Sequence, residues 1–70
     1  MFNKELTHLG HVRRFTIRES DGNGWEVREE QDSRVVRTVR YDDWHRVERA
    51  LIAMRQQVSE LEESGWRTRQ

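Results

Sequence analysis

Six apolar side chains, Trp44, Val47, Leu51, Met54, Val58 and Leu61, recur at spacings of 3, 4, 3, 4 and 3. That rhythm places all six on one stripe of an α-helix and on no single face of a strand, so it defines the largest element of the chain. The stretch YDDWHRVERA, residues 41 to 50, crowds aspartate, histidine and arginine as an active site would, yet it sits where this helix must begin. Asp42 or Asp43 occupies the N-cap position, where a carboxylate accepts free backbone N–H groups at the positive end of the helix dipole. At the other end, ESGW offers Gly65 as the left-handed residue after the helix and Trp66 to fold back onto Leu61. The helix is expected over residues 43 to 64.

Upstream the period changes to two. In HVRRFTIRES, from His11, Phe15 and Ile17 share one face and Arg14, Thr16 and Arg18 the other. DGNG at 21 to 24 is a turn, after which WEVREE sets Trp25 and Val27 against Glu26, Arg28 and Glu30. QDS turns the chain again, and RVVRTVRY is a β-branched third strand with Val35, Val39 and Tyr41 on one parity. Strict alternation puts Arg37 among those apolar residues, which calls for a bulge or for an edge position where its head reaches solvent. In FNKELTHLG, Phe2, Leu6 and Leu9 stand at i, i+4 and i+7, with Asn3 as an N-cap and Gly10 as a stop, which suits a short N-terminal helix. The expected architecture is one α+β domain: a three-stranded antiparallel meander over residues 11 to 41, packed against one long C-terminal helix. Residues 1 to 10 form an N-terminal segment and 65 to 70 a tail.

A chain of 70 residues buries only just enough apolar surface to offset its entropy, and with no cysteine it has no disulfide or thiolate metal site to help. A partner subunit is the remaining support. A 22-residue helix would overhang strands of about six residues, so Met54, Val58, Leu61 and Trp66 are the candidate surface for a homodimer or another protein partner. No apolar run reaches the length of a membrane span, residues 1 to 11 lack the pattern of a signal peptide, and a cytoplasmic protein is expected.

The chemistry-bearing residues are sparse. His8 and His11, with His45 or Asp43, could ligate a metal only if they shared a face, which Gly10 between the two histidines prevents. Asp42, Asp43 and His45 are neighbours on a helix start and do not face one another. There is no nucleophile motif and no phosphate-binding loop, so neither an enzyme nor a cofactor is expected. Charge is balanced at 13 basic and 13 acidic residues, and Lys4 is the single lysine. Any electrostatic role is therefore local. The candidate nucleic-acid surface is the parity carrying Arg14, Arg18, Arg28, Arg34 and Arg40, although Glu26 and Glu30 lie among these arginines and favour a charge-paired, solvated face.

The order of strands followed by a helix, over residues 12 to 64, resembles the strand-rich modules of PUR and Whirly type single-stranded nucleic acid binders. That resemblance implies dimerisation through helices and base binding on the sheet. YDDWHRVERA also resembles segments of short uncharacterised bacterial proteins, a likeness that implies no function. The functional expectation is a small non-catalytic cytosolic interaction module, homodimeric through its long helix. The alternative is weak single-stranded nucleic acid binding through the arginine-rich sheet face.

Overall fold

The computed structural model describes residues 1 to 69 and shows an α+β fold with one antiparallel sheet and one C-terminal helix. Strands β1 (Phe2–His8), β2 (His11–Glu19), β3 (Trp25–Gln31) and β4 (Arg34–Tyr41) form a meander, followed by helix α1 (Trp44–Glu63) and a short strand β5 (Arg67–Arg69). The sheet order is β4-β3-β2-β1-β5, so the sheet has five strands where the sequence reading gave three.

Both additional strands come from segments read otherwise. The expected N-terminal helix is β1, which pairs with β2 in the register Phe2↔Ile17 through His8↔His11. Phe2 and Leu6 are four residues apart, a spacing that a helix and a strand both place on one face. Leu9, the third member of the supposed helical stripe, is instead a turn residue, 85% exposed, with φ of 49°. Together with Gly10 at φ 81° it makes a two-residue hairpin of the type that needs two left-handed positions. The expected C-terminal tail returns as β5 and pairs with β1 at Glu5↔Arg69, Leu6↔Thr68 and Thr7↔Arg67. Thr68 donates from Oγ1 to Glu62 Oε2 at 2.7 Å, fastening this strand to the helix end.

One sheet face carries the core. Leu6, Phe15, Ile17 and Val27 meet Val47, Met54 and Val58 of α1, and Phe2, Trp25, Tyr41, Ala50, Leu51, Leu61 and Trp66 pack around them. The helix boundaries follow the local chemistry. Asp43 Oδ1 accepts from the His45 N–H at 3.0 Å, and the exit is a Schellman turn with Gly65 N–H to Glu62 O at 3.1 Å and Trp66 N–H to Leu61 O at 3.0 Å. The helix runs the length of the sheet. Trp44 at its start lies 5.4 Å from the Trp25 ring, and Trp66 just past its end lies 5.5 Å from His8. Met54 and Val58 are buried and Leu61 and Trp66 pack beside them, so the C-terminal half of the helix lies on the sheet and the expected overhang does not form.

Leu9 occupies a left-handed conformation that costs an L-residue about 1–2 kcal/mol and makes little contact to offset it. Leu9→Asn creates the Asn-Gly pair preferred in such turns and is expected to raise stability by about 1 kcal/mol. Chemical denaturation of the two proteins side by side checks this; a lower midpoint for the variant would show that Leu9 makes a stabilising contact.

Candidate functional site

The arginines and the apolar helix positions singled out in the sequence fall into three different environments. The first is the sheet face away from the helix, where charges alternate across the strands. Register sets Arg69, Glu5, Arg14 and Glu30 side by side, and in the next rows Arg28 follows Thr16 and Arg18 adjoins Glu26 and Arg40. Arg14 donates to Glu5 Oε1 at 2.7 Å, Arg69 lies 3.5 Å from the other Glu5 oxygen, and Glu26 Oε1 receives both Arg18 (3.3 Å) and Arg28 (3.1 Å). Arg40 donates to Ser20 Oγ at 3.1 Å. Four of the five candidate nucleic-acid arginines, Arg14, Arg18, Arg28 and Arg40, thus share this face, three of them paired to glutamate.

Arg34 is separated from them. Between Glu29↔Arg37 and Glu30↔Val35 the ladder skips Val36, a bulge that shifts the parity of everything before it. Arg34 therefore pairs with Gln31 on the helix side of the sheet, while Val35 turns outward beside Glu30. Both readings of Arg37 hold at once. It stays on the helix side with Val39 and Tyr41, and it lies on an edge strand with its head near solvent. The bulge leaves Val35 55% and Val36 65% exposed.

The second environment is the core. Met54 and Val58, expected on a partner surface, are buried against the chain's own sheet, and Leu61 and Trp66 are half-buried beside them. Strand β1 adds Leu6 to this core and His8 against Trp66, and β5 is tied to the helix end by Thr68 and Glu62. The large apolar residue most exposed on the helix is Ile52, at 60%.

The third environment lies between β4 and α1, where a groove of about 320 Å³ is bordered by Arg37, Arg46 and Arg49 over Val39, Ala50 and Ala53. Arg37 Nη1 stands 3.8 Å from Glu29 Oε2, a long ion pair. Among the described residues no carboxylate lies within ion-pair distance of Arg34, Arg46 or Arg49. Arg46 and Arg49 were missed in the sequence, but they left a signal there. The helix has no acidic residue in its first turn and no basic residue in its last; Arg46 lies in the first turn, and Glu60, Glu62 and Glu63 lie in the last. Apart from the Asp43 cap, that polarity opposes the helix dipole.

His8 and His11 are cross-strand partners on one sheet face, contrary to the expectation that Gly10 separates them, but their rings take different neighbours. His8 packs on Trp66, and His11 Nδ1 meets Asp32 Oδ2 at 2.9 Å. Among the described residues no group of three or more histidine, aspartate and glutamate side chains could hold a metal, and no helix is long and apolar enough to cross a membrane. Comparison of the chain with protein-family models, with curated proteins and with solved structures finds no match.

Two carboxylates are tuned by their contacts. The hydrogen bond from Arg14 holds Glu5 below the usual carboxylate range, aided by the charges of Arg14 and Arg69. The bond from His11, followed by the Val12 N–H at 2.9 Å, does the same for Asp32. A carboxylate whose folded pKa is lowered stabilises fully above its unfolded value, about 3.9 for aspartate and 4.3 for glutamate, and loses that contribution as pH falls through the folded value. Thermal melts are therefore expected to show falling stability from about pH 4.5 downward, and Glu5→Gln with Asp32→Asn is expected to flatten that acid limb. An unchanged limb in the double variant would remove both contacts from the account. A second expectation concerns the helix start: Arg46→Glu relieves the opposition to the dipole and should raise stability by about 0.3–1 kcal/mol in urea denaturation at low salt. A lower midpoint would mean that the guanidinium makes a stabilising contact.

Proposed function

We propose that the protein is a non-catalytic interaction module that binds an extended polypeptide segment as an added strand along β4. The observation that carries this reading is the open edge itself. Of the two sheet edges, β5 spans three residues and β4 spans eight, with Val35 and Val36 exposed on it. An edge strand presents a row of N–H and C=O groups without ladder partners, which a second strand can satisfy, while pockets beside the edge read its side chains. The groove next to β4 is such a pocket.

Arginines at 34, 37 and 40 fit this role in a second way. Charged residues on an edge strand discourage indiscriminate pairing, and two copies meeting along β4 would bring six arginines to one seam. The edge is thereby guarded against self-pairing and open to a chosen partner. The paired arginines of the opposite face offer nucleic acid much less, since Glu5 and Glu26 already occupy Arg14, Arg18 and Arg28.

The test is an amide-shift titration of the labelled protein with a neutral peptide alternating valine and threonine. Shifts confined to Val35 through Tyr41 and the adjoining helix positions are the expected result. Shifts centred on Ile52, or on the face around Arg14 and Arg28, would overturn the reading.

A further inference from the structure

Strand addition says how a partner lies; the groove beside β4 says what its side chains must be. Half-buried Val39 and Ala50 line the depth of this 320 Å³ space, and the exposed Arg37, Arg46 and Arg49 line its mouth. Small side chains at Ala50 and Ala53 keep the helix wall low, leaving room for one medium apolar side chain. The three guanidinium groups face a single internal acid, Glu29, which at 3.8 Å from Arg37 neutralises one of them weakly. Arg46 lies in the first turn of the helix, where the dipole disfavours a cation, and Arg49 follows one turn on, so the two raise the local potential at the groove mouth. An anionic group arriving there meets both arginines together, with Arg37 across the groove.

We infer, resting on the strand-addition reading, that this groove makes the partner an acidic extended peptide. Alternate side chains of a strand docked on β4 point toward the groove about 6.6–6.8 Å apart. One of them, apolar, fills the space over Ala50 and Ala53. Its neighbour two residues on is a carboxylate held by Arg46 and Arg49. On the other face, Arg40 and the exposed Val35 meet the intervening residues. A second copy does not satisfy this chemistry, because residues 34 to 41 contain three arginines and no acid. A single-stranded nucleic acid could meet the arginines, but it cannot use the backbone edge or the apolar depth of the groove.

The experiment uses three fluorescein-labelled peptides of about seven residues, long enough to cover β4. All carry a valine and, two residues further on, glutamate, lysine or threonine, so that both side chains face the groove, with threonine at the remaining positions, and a single-stranded oligodeoxynucleotide serves as a fourth probe. Binding is read by anisotropy at two salt concentrations, and the mass of the protein in solution is measured on the same samples. The glutamate peptide is expected to bind roughly tenfold or more tightly than the lysine peptide, with affinity falling as salt rises. Arg46→Glu with Arg49→Glu, two exposed positions whose replacement leaves the core intact, is expected to abolish that preference while keeping the circular dichroism spectrum. Equal binding of all three peptides would overturn the acidic-partner inference and leave strand addition standing. A dimer that binds no peptide would overturn the inference in favour of a second copy, and tighter binding of the oligonucleotide through Arg46 and Arg49 would overturn it in favour of nucleic acid. A monomer that binds none of the probes would overturn both the inference and the reading beneath it.

Discussion

The packing of one narrow helical stripe on one sheet face organises the whole molecule. Val47, Met54 and Val58 are the fully committed helix positions, and their partners Leu6, Phe15, Ile17 and Val27 come from β1, β2 and β3. Each such side chain contributes on the order of 1.5–3 kcal/mol by leaving water, so a core this small has no member to spare. The same commitment decides what is left over. No β4 residue is among the buried core positions, although Val39 and Tyr41 are half-buried on the helix side, so this strand remains a partly covered edge with a groove along it.

The extra residue at Val36 sharpens that edge. Without the bulge, Val35 would face the helix side and Arg34 the charged face, continuing the alternation that begins at Tyr41. With it, the last turn of the ladder is inverted, two valines reach solvent, and Arg34 joins Arg37 on the helix side. A bulge also bends its strand and increases local twist, which hinders flat edge-to-edge aggregation. Exposed valines and guarding arginines are thus combined in one strand, a pattern suited to selective rather than general pairing.

The helix was legible to within a residue or two, because a six-member stripe with a carboxylate cap and a glycine stop leaves no competing interpretation. Strands β2, β3 and β4 were legible from apolar pairs two residues apart between turn signals, Phe15 with Ile17, Trp25 with Val27, and Val39 with Tyr41. The N-terminal strand was not, since two apolar residues four apart satisfy both periods and Leu9 occupies a turn position that leucine seldom takes. That error propagated. A three-stranded sheet of short strands implied an uncovered helix half and so a partner surface at Met54, Val58, Leu61 and Trp66, whereas Met54 and Val58 are buried in one core with Leu6, Phe15, Ile17 and Val27, and Leu61 and Trp66 pack beside it. Arg37 was flagged as anomalous from alternation alone, and the anomaly marked the edge strand and its groove.

Electrostatics divide the charged residues into those that stabilise the fold and those that do not. Arg14 with Glu5, and Arg18 and Arg28 with Glu26, alternate in sign along cross-strand rows, and exposed pairs of this kind each add a fraction of a kcal/mol, about 0.2–1. Arg37, Arg46 and Arg49 follow the opposite logic. They share one groove, they have one weakly paired acid among them, and Arg46 lies in the first helical turn, where the dipole opposes a cation. Local rules that agree elsewhere in a chain tend to be broken where a surface serves something other than stability. Here the breach coincides with the open backbone edge of β4 and with the two exposed valines, and their coincidence in one place is what separates this edge from an ordinary solvated rim.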